Sequence, residues 1–305
     1  MNFFRNFLAS FLGSITALIF IISLVFILIA GIASVASFDK NILSGEISSN
    51  SILNLDLDKD VYDNIPVTQE FEEILGVSPE IIKFLDLIDA IELATENKDI
   101  KGINLKTQSP KMGWSQALTI RKSLQRFKDK GKFIYTYGDF FSQKGYYLAS
   151  VSDSIFLNPM GNIELRGLGA EVLYYKELQE KYGFKMEVIR HGKYKSAVEP
   201  YLDDKMSEAN RSQIRSLLNS IWGGIANQIK VSRKVSTENF NKVVDNLDAT
   251  LPVNAFRNNI VDGIVSKTQY KQKVKRKLGI KPDGKLNNVS YLQMKNSLKY
   301  KKGTR

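Results

Sequence analysis

The run Gly192-Lys193-Tyr194-Lys195-Ser196-Ala197-Val198-Glu199-Pro200 sets a lysine, Lys195, between an aromatic residue and a series of small and apolar ones. A lysine in water is protonated at neutral pH, with a reference pKa of about 10.4. Burial disfavours the charged form, and a neutral lysine can serve as a general base. The block therefore offers base chemistry if something withdraws Lys195 from water. Otherwise Lys195 is one more solvated loop lysine in a chain rich in them.

Composition narrows the alternatives. The chain has no cysteine, which removes disulfides, thiol nucleophiles and cysteine metal sites. Its single histidine, His191, excludes a zinc site built on several histidines, and a Ser-His-Asp triad would have to use that one ring. His191 reads as an ordinary strand-end residue, so a base here is a lysine or a carboxylate, and no metal or organic cofactor is expected. At 305 residues and 43% hydrophobic, the chain can bury one large core or two modest ones. The formal charge is +11, and much of the excess lies between Lys267 and Arg305, where Asp283 is the only acid. Aromatic residues do not interleave with those cations as base stacking requires, so no nucleic acid partner is expected. Contact of the basic tail with anionic lipid headgroups stays open.

The elements that must position Lys195 begin with an anchor. No residue from Asn6 to Phe38 is charged, and the apolar core from Ile15 to Ala33 is long enough to cross a bilayer as a helix, which takes roughly 20 residues. Ser34-Val35-Ala36 has the form of a signal-peptide cleavage site, but signal peptides carry apolar regions of only about 7 to 15 residues. The span is therefore read as a retained anchor. Arg5 before it, and Asp39 and Lys40 after it, place a short tail in the cytoplasm and the bulk of the chain outside.

A polar spacer from Asn41 to Ser51 leads to the alternating run Ile52 to Leu57, a half-buried strand. Asn64 to Pro79 reads as loop, and Ser78-Pro79 as a helix start with Ile81, Phe84, Leu85, Ile88 and Ile91 on one face. Strands are predicted at Ile100–Leu105, Phe133–Tyr137 and Ser154–Leu157, and helices at Ser115–Lys128 and Gly145–Ser150. This alternation argues for an α/β domain with largely parallel pairing. A helix over Gly169–Tyr182 and a strand over Phe184–Ile189 then deliver Lys195. Ser207 is expected to cap a long helix bearing Ile214, Leu217, Leu218, Ile221, Ile225 and Ile229 on one face, read as a core-packing helix. Short helices follow at Thr237–Leu247 and Pro252–Asn259, then a turn into a final strand at Val261–Val265. From Lys281 onward the chain reads as a basic linker.

Together these blocks carry a resemblance: Gly192 to Pro200, Gly145-Tyr146-Tyr147-Leu148-Ala149-Ser150, Phe156-Leu157-Asn158-Pro159 with Gly161, Leu173-Tyr174-Tyr175-Lys176 and Val261-Asp262-Gly263-Ile264. The sequence resembles the signal peptide peptidase A (protease IV) family in its long membrane-anchored form, from the anchor to about Lys271. The resemblance implies a crotonase-like (Clp protease-like) α/β fold and a membrane-anchored serine endopeptidase with a Ser-Lys dyad that degrades cleaved signal peptides. It implies a homotetramer at the bacterial inner membrane, single-pass, with its bulk in the periplasm. In the long form the lysine lies in the first half, at the position of Lys195, and the nucleophilic serine in the second.

On this reading residues 1–40 are tail and anchor, 41–51 a spacer, 52–280 the lysine-bearing half-domain and 281–305 a linker toward an absent second half. Gln143 and Lys144 stand where short family members carry the serine. Ser142, close by, is read as a decoy. Ser109-Pro110-Lys111-Met112-Gly113 occupies the place of the oxyanion segment without its paired glycines. The alternative function is a non-catalytic, membrane-tethered assembly protein of the same fold.

Overall fold

Hydrophobic alternation along four strands organises the domain. In the computed structural model, which describes residues 2–37, 47–64, 81–189, 191–192 and 194–303, β1 spans Ser51–Asp56, β4 Ile100–Lys106, β5 Phe133–Phe141 and β6 Ser154–Ile163. Successive side chains of a strand point to opposite faces. Leu53, Leu55, Ile103, Leu105 and Ile134 thus join one large core, while Ile52, Phe133, Tyr137 and Phe156 join a smaller one on the other face. With two-residue β7 (Gly263–Ile264) and β8 (Asn287–Ser290), the strands form a six-stranded sheet in the order β7-β6-β5-β4-β1-β8, and every pairing is parallel. A small separate pair joins β2 (Val61–Tyr62) to β3 (Ile82–Lys83).

Helices fill in between. An apolar helix, α1 (Asn2–Ser37), precedes the domain; within it Phe3–Leu28 has a mean hydropathy of 2.7, no burial, and the length to cross a bilayer. The large core is closed by α2 (Phe84–Glu96), α3 (Trp114–Asp129) and α4 (Gln143–Ala149), through residues such as Leu87, Ile91, Ile120, Leu124 and Tyr146. Two short helices, α5 (Lys176–Tyr182) and α6 (Glu199–Leu202), lead to the 26-residue α7 (Glu208–Arg233). Beyond it lie α8 (Thr237–Asp245) and α9 (Pro252–Arg257), then α10 (Lys267–Lys277), which covers the second face of the sheet with Tyr270, Val274 and Leu278. The last helix is α11 (Tyr291–Gly303).

The α/β class and the parallel sheet agree with the sequence reading, and four details differ. The helix expected over 169–182 is confined to Lys176–Tyr182. Residues 184–189 carry the alternation of a strand but have no ladder partner and form none. The tail read as a linker contains β8, which pairs with β1, and α11, whose Met294 is buried. The long helix packs as core only in its second half: Ile225 and Ile229 are buried, whereas Leu217 is 60% exposed. The proposed helix start at Ser78-Pro79 and most of the spacer lie outside the described residues.

Candidate functional site

Parallel strands bring their C-terminal ends to one side of the sheet, and there the loops after β4 and β5 meet. Ser142 directly follows β5 and caps α4: its Oγ accepts the Gly145 N–H at 3.1 Å. Its own N–H donates to the Gln108 carbonyl at 2.8 Å, which ties the two loops together. The approach is so close that a Cβ on Gly145 would sit 2.4 Å from the carbonyl oxygens of Thr107 and Gln108, so glycine is required there. The Gln108 side chain extends the tie by accepting from the N–H groups of Asp139 and Phe140, at 2.9 and 3.2 Å.

Gln143 and Lys144, at the aligned serine position, are both engaged. The Gln143 amide accepts from the N–H groups of Arg166 (3.1 Å) and Gly167 (2.9 Å) and donates to the Gly167 carbonyl at 2.9 Å. It clamps the chain leaving β6 to the start of α4. The Lys144 ammonium donates to the Met112 carbonyl and stands 5.4 Å from the centre of the Trp114 ring, and burial lowers its pKa. It therefore pins the Ser109–Gly113 segment. The Thr107 hydroxyl is buried beside these contacts with no hydrogen-bond partner.

The tyrosine pair holds α4 from within. Tyr146 is fully buried, donates to the Ile260 carbonyl at 2.8 Å, and has its pKa pushed up by burial. Tyr147 donates to Gln228 of α7 at 2.8 Å. Between them runs Arg121 of α3, 4% exposed and without a carboxylate. Its guanidinium donates to the carbonyls of Tyr147 and Gln228 and to the hydroxyls of Ser150 and Ser232, and burial brings its pKa down to about 10.

Among the described residues no hydrogen bond or ion pair joins Lys195 to this assembly. The turn before it uses Gly192 at φ 105°, a conformation that side chains with a Cβ rarely adopt, and the Lys195 N–H reaches back to the Gly192 carbonyl at 3.4 Å. The side chain is exposed, and among the described residues its ammonium has no hydrogen-bond or ion-pair partner. The burial that base chemistry needs is thus absent among the described residues. The lobe that carries Lys195, from α5 into α7, exposes apolar side chains: Tyr182 is 68% exposed, Phe184 54% and Leu217 60%.

What fixes the lobe is Glu199, a residue the sequence reading did not single out. It is 2% exposed, and its carboxyl accepts from the Ser207 hydroxyl at 2.5 Å and from the Asn210 amide at 2.9 Å. The chain four residues after Lys195 is thereby fastened to the N-terminus of α7, where the helix dipole favours a carboxylate. The neighbouring Pro200 carbonyl accepts the Tyr175 N–H at 2.7 Å, joining α5 to α6. The only sequence signal for this was an acid eight residues before a capping serine. Among the described residues no three His, Cys, Asp or Glu side chains gather as a metal-binding group.

Residues 126–281 match the model of peptidase family S49. Protease 4 of Haemophilus influenzae is 29% identical over 281 residues, covering 87% of this chain and 45% of that protein. Protease 4 of Salmonella typhi is 28% identical over 236 residues, covering 72% of this chain and 37% of the relative. The chloroplastic serine protease SPPA of Arabidopsis thaliana is 29% identical over 201 residues, or 63% and 28%. The chain thus spans less than half the length of these relatives. Among solved structures, a mutant of the 1510-N membrane-bound stomatin-specific protease aligns with a TM-score of 0.41 and 10% identity over 81% of this chain and 94% of its own. An enoyl-CoA hydrotase/isomerase family protein from Silicibacter pomeroyi gives 0.40 and 11% over 77% and 80%.

Proposed function

We propose a function from one premise: the chain belongs to peptidase family S49. It is the lysine-bearing half of a membrane-anchored serine peptidase that cuts signal peptide remnants, and Lys195 is its general base. The observation that carries this reading is the S49 match itself, which spans both the Lys195 block and the Ser142–Ala149 block.

The reaction is acyl transfer at a peptide bond. A neutral Lys195 accepts the proton of a serine hydroxyl carried by a serine-bearing half, the serine oxygen attacks the carbonyl carbon, and Lys195 returns the proton to the leaving amine. Water then cleaves the acyl-serine by the same proton route. For this the exposed Lys195 has to be covered, because desolvation is what favours the neutral amine. The exposed apolar side chains of the same lobe, Tyr182, Phe184 and Leu217, offer a surface against which a serine-bearing half or another copy would close, which is how a tetramer would complete the site. The helix α1 would hold the assembly in the bacterial inner membrane with the domain on the periplasmic side.

A second reading, a non-catalytic assembly protein, draws on the fact that the Ser142 oxygen and the Gln143 amide are already committed to structure. One experiment separates the two. The purified chain in detergent is incubated with signal-peptide substrates and a serine-directed acylating probe, alone and with a serine-bearing S49 half. Hydrolysis is expected only in the mixture, falling by at least about 100-fold with Lys195→Ala. Undiminished hydrolysis by Lys195→Ala removes the proposed base. Labelling of Ser142 in the isolated chain overturns the division of labour, and no hydrolysis under any condition leaves the scaffold.

A further inference from the structure

The cations of α10 have no acid partners. Six of its eleven residues are basic, namely Lys267, Lys271, Lys273, Lys275, Arg276 and Lys277, and among the described residues no ion pair uses any of them. Its buried stripe of Tyr270 and Val274 fixes which side faces the sheet. The C-terminal half of the helix borders a groove of about 510 Å³ whose walls include Lys273, Arg276, Lys277, Tyr135 and Phe156. Lys273 lies 5.3 Å from the centre of the Phe156 ring and Lys277 5.7 Å from that of Phe133, so aromatic faces hold both ammonium groups along the rim. Asp262 also lines the groove, but it is paired with Arg233 at 2.9 Å. Lys281 and Lys285 continue the basic run with Asp283 between them.

The position of this patch relative to the anchor follows from two contacts. The Asn50 side chain donates to the Leu278 carbonyl at the end of α10, at 3.0 Å, and Asn287 donates to the Ser49 carbonyl at 3.1 Å. The chain coming from α1 therefore enters the domain against the basic end of α10. Twelve residues lie between Ser37 and Asn50, a tether of at most roughly 45 Å when fully extended. Because all strands are parallel, the end where β1 begins is also where β5 and β6 begin, beside Lys277 and Lys273. Ser142 and Thr107 lie at the opposite end.

We propose that the C-terminal half of α10, with its groove, rests on anionic phospholipid headgroups of the membrane in which α1 is set. The inference depends on the membrane reading of α1. Cations near an anionic leaflet are attracted within a Debye length, about 10 Å at 0.1 M salt, and a tether of this reach lets α10 approach the leaflet that closely. The contact would hold the domain with the ends of β4 and β5 turned away from the lipid, leaving them open to peptides.

The full chain is reconstituted in nanodiscs of phosphatidylcholine alone and in discs with a share of phosphatidylglycerol. Acetylation of individual lysines is followed by mass spectrometry, with exposed Lys122 and Lys242 as internal references. In the anionic discs Lys271, Lys273 and Lys277 should react about tenfold more slowly than in neutral discs, with the rate restored in high salt. The double variant Arg276→Gln, Lys277→Gln should lose most of the difference at Lys271 and Lys273. Equal rates in the two discs, with the protein inserted in both, overturn the proposal. Equal slowing in neutral discs by inorganic phosphate or a DNA oligonucleotide also overturns it, in favour of a soluble polyanion. A chain that fails to enter either disc sinks the membrane reading of α1 instead.

Discussion

Two sequence blocks carry most of the family likeness, and the chain treats them in opposite ways. The Ser142–Ser150 block is set into the core: Tyr146 and Leu148 are fully buried, Gly145 touches backbone, and Arg121 ties the helix to α3 and α7. Among its described residues the Gly192–Pro200 block buries only Glu199 and leaves Lys195 and Tyr194 exposed. The first block is finished by its own chain. The second keeps its lysine at the surface, and α7 runs from one regime into the other along its own length.

The largest expected effect tests the finished block. Gly145→Ala forces a methyl against two backbone carbonyls and should lower stability by more than about 3 kcal/mol, read as a fall in the urea midpoint in detergent. Next comes a pair on one helix. Ile229→Ala removes a fully buried side chain and should lower stability by about 3 kcal/mol, whereas Leu217→Ala should change it by less than about 0.5 kcal/mol. A large effect at Leu217 would break the contrast, because the lobe would then already be covered in solution, and a matching shift in sedimentation would name another copy as the cover.

Glu199→Ala should cost about 2 kcal/mol but locally. Hydrogen exchange is expected to speed up between Tyr194 and Asn210 while β4 and β5 stay protected. Uniform acceleration would mean that the lobe and the body unfold as one unit.

The smallest effect is a matter of pH. Burial raises the pKa of Tyr270, whose hydroxyl donates to Asn104 at 2.5 Å, above the ordinary value of 10.0. Above that pH the unfolded tyrosine loses its proton and the folded one keeps it, so this residue's contribution falls as pH rises. Tyr270→Phe should therefore cost about 1 kcal/mol near neutral pH and progressively less in alkali. The variant has to be compared with its parent at each pH, because buried Arg121, brought down to about 10, favours folding more as pH rises through the same range.

Much of the body was legible because local patterns and tertiary outcome agree there. Ile52 to Leu57 alternates and is a strand; Ile120, Leu124 and Phe127 keep helical spacing and are buried. The alternation in Phe184–Ile189 is equally regular, but a strand needs a neighbour and the described residues provide none. The reverse holds at Asn287–Ser290, where a polar run with one buried residue, Val289, becomes a strand because the edge of β1 is open to it. Of the site, Lys195 and Ser142 were singled out by the sequence, and the fold exposes the first and uses the second to cap α4. The Gln143 clamp and the Glu199 anchor were not, since each depends on partners that only the folded chain brings within reach.

The place of β1 in the sheet has a consequence for synthesis. It is the first strand to be made, yet it lies between β4 and β8, and its second neighbour begins only at Asn287. At a translation rate of roughly 5 to 20 residues per second, one edge of β1 waits some tens of seconds for its cover. During that time it presents unpaired backbone that any passing strand can take. Nascent chains held short of β8 should therefore be the ones that recruit chaperones or aggregate, and those that extend through it should be released.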